Sequence, residues 1–173
     1  LKYLFLIFFI LSYVIGFFLR ENIAGGAEQD FLSFTWPAIL SFKMGYYMEV
    51  IERRRQIAQT YHDTLNKYPD VRLPPSPNVT GKNFDIFQNY EFCTMRRDDL
   101  RKFLGDNGVG TIIQWGGFGV HMLENLDMKA DLPITDKFFK ESLLLPLNHV
   151  MSDQQIEYVC QLLDKFFSGD EYG

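Results

Sequence analysis

The residues with the clearest capacity for chemistry form one short run, Trp115-Gly116-Gly117-Phe118-Gly119-Val120-His121. Glycines accept backbone conformations that other residues resist, and they let backbone amides approach a ligand closely. The Trp115 indole could stack on a base or a sugar ring, and the His121 imidazole could donate a hydrogen bond to a hydroxyl or a phosphate. A tight turn with Trp115 in the core and His121 capping the next turn explains the run without a ligand. Trp115, Gly116, Gly117 and His121 are therefore candidate substrate-binding residues.

Other reactive side chains form no recognisable constellation in the sequence. His62 and His149 stand apart from any suggestive serine or acid, and no metal-ligand spacing is visible. Cys93 and Cys160 fall at apolar positions, which predicts two reduced core cysteines of a cytosolic protein. The net charge of -5 and the pI near 5.2 argue against nucleic acid as a partner, because phosphate binding needs a basic face.

The candidate run is preceded by an amphipathic helix and a short apolar strand. Asp98 is a good N-cap for a helix from Asp99 to about Asp106, and Asn107-Gly108 is typical of a helix end. Val109–Trp115 then predicts a strand that leads directly into the glycines.

Further elements follow the same local rules. Phe84–Met95 alternates loosely and predicts a strand. Pro133 predicts the start of a helix that reaches about Leu144, and Leu143–Leu147 overlaps its end as a short extended segment. Ser152 and Gln155 form a capping box at the start of a last helix. Its predicted buried face contains Ile156, Val159, Cys160, Leu163, Phe166 and Phe167.

The region before residue 69 divides into an apolar run, a linker and a long helix. Residues 21–37 contain Gly25-Gly26 and no sustained period, which favours a linker. Residues 38–68 predict one helix, with Pro37 in its first turn. Its periodic stripe, at steps of three or four residues and apolar except for Arg54, is Leu40, Met44, Tyr47, Ile51, Arg54, Ala58, Tyr61 and Leu65.

Residues 3–19 carry no charge and would span roughly 25 Å as a helix, the lower limit for crossing a bilayer. Three interpretations stay open: a membrane anchor, a segment foreign to the domain behind it, and a signal peptide. The last fits less well, because acids follow closely and no clean cleavage site is present.

Two stretches resemble one known family. Ala38–Leu65 is similar to the linking helix of the DegT-type sugar aminotransferases, and Arg97–Phe167 resembles their small C-terminal domain. The resemblance implies an α/β fold, the α+β small domain of a fold-type I enzyme: a linking helix (38–68), then a small mostly antiparallel sheet flanked by helices (69–168) and a tail (169–173). An apolar N-terminal helix (1–20) would precede them. Phe34-Thr35-Trp36-Pro37 departs from the family, which carries an Asn- and Arg-containing cofactor loop there.

Members of this family use pyridoxal phosphate to move an amino group from an amino acid, glutamate by expectation, to a nucleotide-linked keto-sugar. The resemblance therefore implies those partners, a homodimer, a cytoplasmic location and an exposed apolar face on the linking helix. The loop ending in His121 would lie over the active-site cleft.

The lysine that would hold the cofactor is not recognisable in the sequence. Lys43 is the nearest imitation, but its neighbours match the linking helix. We therefore expect a fragment of the enzyme that binds no pyridoxal phosphate and is inactive alone. The alternative is a non-enzymatic, single-pass membrane protein, anchored by residues 3–19, whose cytosolic domain binds a partner or a sugar nucleotide.

Overall fold

The computed structural model describes the backbone of residues 27–79, 84–123 and 130–169, with side chains from residue 35 onward. The predicted apolar segment (1–20) and most of the predicted tail lie outside these residues. The chain divides into two compact units, residues 1–49 and 50–173, and each is described by itself. No helix in the described ranges is long and apolar enough to cross a membrane.

The long helix, α1, covers Ala27–Leu65. It begins inside the predicted linker, so the predicted start at residue 38 is wrong. Ala27, Glu28 and Gln29 are good helix formers or tolerated in the first turn, and no glycine or proline intervenes before Pro37. Pro37 lies inside the helix, where it lacks an amide hydrogen to donate.

The first unit exposes large apolar side chains along α1, as expected for the linking helix. They are Trp36, Leu40, Phe42, Met44, Tyr46, Tyr47 and Met48. Leu40, Met44 and Tyr47 of the predicted stripe therefore lie on this exposed part of α1. In the second unit the same spacing does mark the core, where Ile51, Ala58, Tyr61 and Leu65 are buried. Spacing predicts which residues share a face, but the elements that pack nearby decide whether it is covered.

A three-stranded antiparallel sheet is the centre of the second unit. Its strands are β1 (Val71–Arg72), β2 (Tyr90–Thr94) and β3 (Ser142–Leu145), in that order. Tyr90 and Phe92 point into the core, and strand alternation sends Glu91 and Cys93 to the other face. The predicted small antiparallel sheet flanked by helices is confirmed.

Both predicted strands are shorter than the sequence suggests. Before Tyr90, the Asp85 side chain accepts a hydrogen bond from the Phe87 amide at 2.7 Å, and Phe87 has φ +47°. This local turn competes with strand pairing. In Val109–Trp115 only Ile112 pairs, with Leu144, through both backbone hydrogen bonds.

The described part of the second unit contains three more α-helices: α2 (Arg97–Asp106), α3 (Pro133–Glu141) and α4 (Asp153–Ser168). The predicted cap at Asp98 is wrong, because α2 already begins at Arg97 and Asp98 lies in its first turn, where its carboxylate accepts a hydrogen bond from Arg97 Nε at 2.6 Å. The predicted end at Asn107-Gly108 is confirmed, with Gly108 at φ +76°. α3 stops at Glu141, before the predicted Leu144, since the following leucines pair in β3.

The start of α4 forms as the sequence predicts. Ser152 Oγ accepts from the Gln155 amide at 3.3 Å, and Gln155 Oε1 accepts from the Ser152 amide at 3.0 Å. The buried face is Ile156, Val159, Cys160, Leu162, Leu163 and Phe166. It packs on the helical face of the sheet with Ile57, Tyr61 and Leu65 of α1. The part of α1 from Val50 onward therefore lies in the same compact unit as the sheet.

Glu91 provides a pH test of this packing. Burial in the sheet raises the pKa of its carboxyl group. A raised pKa in the folded state stabilises the fold below the unfolded-state pKa, and this contribution is lost as the pH rises through the folded-state pKa.

We expect Glu91→Gln to gain stability relative to the native chain as the pH is raised from about 4 to about 8. Urea unfolding at several pH values measures the difference. Parallel curves for native chain and Glu91→Gln would contradict the prediction.

Candidate functional site

The candidate loop displays Trp115 on a backbone that is unusual for a tryptophan. A 3-10 turn, Gln114–Gly117, contains three successive residues with positive φ: Trp115 at 52°, Gly116 at 67° and Gly117 at 80°. For a residue with a Cβ the left-handed region costs about 1–3 kcal/mol. The Trp115 side chain is 77% exposed. The alternative placement of Trp115 in the core is therefore wrong.

His121 lies in a second 3-10 turn, Val120–Met122, and is turned away from solvent. Its Nε2 lies 2.6 Å from Oδ1 of Asp136 in the first turn of α3. The His121 side chain is 9% exposed and that of Asp136 is 37% exposed. His121 thus differs from Trp115, because its Nε2 atom already has a partner within the protein, the Asp136 carboxylate.

Gly119 lies under the His121 ring. A Cβ at Gly119 would lie 2.5 Å from His121 Cε1 and 3.1 Å from Phe139 Cε2. The first distance is shorter than real Cβ contacts show and the second is unusually tight, so the ring occupies the space that glycine leaves. Of the three glycines in the loop, Gly119 is therefore required for packing, and Gly116 and Gly117 for their φ angles.

Helix α3 separates the loop from a cleft on the other side. Asp136 and Phe139 contact the loop, whereas Ile134 and Phe138, four residues apart, line the cleft. Arg97 Nη1 donates to the Phe139 carbonyl oxygen at 2.9 Å, which ties the end of α3 to α2. The loop is thus seated on a helix that is itself held in place.

The cleft has a volume of about 540 Å³ and lies against the face of the sheet that carries Glu91. Its polar lining consists of Arg72, Asp85, Asn89, Glu91 and Cys93. Trp115 and His121 do not line it. The structure therefore brings the candidate loop residues together with one another, but not with the charged residues of the cleft.

The lining of the cleft does not fit pyridoxal phosphate, which needs a lysine amine for its covalent attachment. No lysine lines it among the described residues. Lys67 pairs instead with Asp164 at 2.8 Å and Lys102 with Asp106 at 2.6 Å, and Lys43 lies on the exposed side of α1. We therefore derive no reaction step through the cofactor from these residues.

The cysteines are free and buried, as the sequence predicts. Burial raises the pKa of the Cys160 thiol, which keeps it protonated and unreactive. Within the described ranges no group of three or more histidine, cysteine, aspartate or glutamate side chains could hold a metal ion.

Asp136 is the residue of this site that the sequence does not reveal. It lies fifteen positions from His121, and an acid in the first turn of a helix already has a local explanation in the helix dipole. The pairing of two separate elements would have to be known in order to find it.

With its long helix and small antiparallel sheet, the fold is that of part of a sugar aminotransferase. The aminotransferase TlmJ from Streptoalloteichus hindustanus superposes with a TM-score of 0.67 at 25% identity, covering 78% of this chain and 36% of that chain. DesV from S. venezuelae, solved with a ketimine intermediate, gives a TM-score of 0.65 at 25% identity, covering 75% and 35%.

Residues 33–164 match the sequence model of the DegT/DnrJ/EryC1/StrS aminotransferase family, and the chain belongs to that family. A dTDP-3-amino-3,6-dideoxy-alpha-D-galactopyranose transaminase from Aneurinibacillus thermoaerophilus is 25% identical over 84% of this chain. A pleiotropic regulatory protein from Geobacillus stearothermophilus is 28% identical over 75%. The chain spans 39% and 36% of the length of these two relatives, respectively.

The family depends on pyridoxal phosphate. NtdA from Bacillus subtilis, a protein of similar fold, is solved with the bound cofactor PMP.

The space under the His121 ring gives a direct test of the loop geometry. We expect Gly119→Ala to lower the free energy of unfolding by about 1–3 kcal/mol, because the new methyl group displaces a ring that Asp136 holds. Gly110→Ala is the control, since a Cβ at Gly110 meets nothing within 4 Å. Denaturant unfolding of both variants measures the difference, and equal stabilities would refute the packing argument.

Proposed function

We propose that this chain forms the small domain and linking helix of a nucleotide-sugar aminotransferase, and that its Trp115 loop is one wall of the sugar-nucleotide site. The observation that carries the proposal is the exposed indole of Trp115 on a left-handed backbone. The family match over residues 33–164 supports the same reading.

The loop offers two kinds of contact to such a ligand. The Trp115 indole presents a flat apolar face, on which a base or the apolar face of a sugar ring can stack. Gly116 and Gly117 have no side chains to obstruct a phosphate or hydroxyl that approaches their backbone amides. His121 completes the wall from behind, where its ring fills the space over Gly119.

The whole enzyme would transfer an amino group from an amino acid, glutamate in our proposal, to a keto-sugar carried on a nucleotide. Pyridoxal phosphate supplies the electron sink for that transfer when it is bound. In this scheme the present chain shapes the sugar-nucleotide site and discriminates between sugars. The lysine that holds the cofactor comes from outside the cleft described above. A homodimer and a cytoplasmic location are part of the same proposal.

Ligand-observed saturation-transfer NMR with dTDP tests the wall directly. We expect saturation of the thymine and ribose protons by the native chain, and a loss of affinity in Trp115→Ala. Stacking of about 1–3 kcal/mol corresponds to roughly 5- to 150-fold in Kd.

Trp36→Ala is the matched control, since Trp36 is also an exposed tryptophan but lies in the other compact unit. It should leave the dTDP signal unchanged. Equal losses in both variants, or no transfer to dTDP from the folded native chain at about 10 mM ligand, would overturn the proposal.

A further inference from the structure

The contact between His121 and Asp136 indicates which nitrogen of the ring carries a proton. A carboxylate only accepts hydrogen bonds, so the Nε2 atom that lies 2.6 Å from Asp136 Oδ1 carries the proton. In the neutral ring, Nδ1 is then left with a lone pair. The second partner of a histidine ring sets its tautomer in the same way at many functional sites.

The same contact fixes where the ring lies. Nδ1 lies 2.7 Å from the position that a Cβ of Gly119 would occupy, so the ring is packed against the Gly119 backbone. The Phe139 ring also lies close to Gly119, and the Met122 amide donates a hydrogen bond to the Gly119 carbonyl oxygen at 3.0 Å. The ring therefore links α3 to the segment that follows Trp115 and the two left-handed glycines.

We infer that Asp136 is a positioning residue, which holds the Trp115 wall in place through His121. The inference rests on the function proposed for the loop, because a fixed indole matters only if something stacks on it. It also changes the role of His121. With Nε2–H donated to Asp136, a neutral His121 offers a ligand no hydrogen-bond donor, and it acts by holding the loop.

A purely local role for Asp136 makes a different prediction. An acid in the first turn of α3 stabilises that helix through the helix dipole, whatever residue is at position 121. Under that role, changes at Asp136 and His121 would act independently. Under the positioning role they remove the same contact, so the second change adds nothing to the first.

Nitrogen-15 relaxation of the native chain and its variants, without ligand, separates the two roles. In the native chain we expect order parameters near 0.85 for the Gly116 and Gly117 amides, and values below about 0.6 in Asp136→Ala and in His121→Ala. The double variant should fall no further. Asp136→Asn keeps an oxygen that accepts from Nε2–H, and it should stay close to the native values.

The imidazole proton supplies a second readout that helix stabilisation alone does not move. We expect the Nε2–H resonance of His121 to be protected from solvent exchange in the native chain and in Asp136→Asn, and lost in Asp136→Ala. Native-like order at Gly116 and Gly117 in a folded Asp136→Ala variant, or additive effects in the double variant, would overturn the inference. Since no ligand is present, a failure of dTDP binding leaves this result unaffected.

Discussion

The packing of the second unit depends on the buried side chain of Tyr61. Its ring is 0% exposed and packs edge-on against Tyr90, with centroids 5.5 Å apart. Its hydroxyl donates to the Pro146 carbonyl oxygen at 2.8 Å, which satisfies a polar group that would be costly to bury alone. Burial accordingly raises the pKa of the Tyr61 hydroxyl. The contact fixes α1 against the end of β3, and β3 continues directly from α3, the helix that seats the candidate loop.

Elements whose signals are local could be predicted from the sequence. The Ser152 capping box and the Asn107-Gly108 helix end form as expected, because both depend on hydrogen bonds and φ angles within a few residues. The strands were predicted too long for a related reason. Strand-forming composition does not show where a partner strand ends, and at Phe87 an Asp85 side chain offers the backbone another hydrogen bond.

In the candidate site, too, some residues can be predicted from local signals and others cannot. The glycines and Trp115 could be picked out as a group, because their types alone indicate a loop that a ligand can approach closely. Which role each glycine has could not, since Gly119 is constrained by a ring two residues away and by Phe139 on another element. Asp136 could not be predicted from the sequence, because it contacts His121 only in the folded structure.

Two non-glycine residues with positive φ show why Trp115 points to function. Phe87 has φ +47° but is 2% exposed, so the free energy of burying its ring offsets the cost of its backbone. Trp115 has φ +52° and is 77% exposed, so within the described residues its indole recovers little of that cost through packing. Gly116 and Gly117 follow it with positive φ as well. At Gly119 the absence of a side chain leaves room for the His121 ring, which holds the loop. In our proposal a ligand covers this large aromatic group, and its contact offsets the conformational cost.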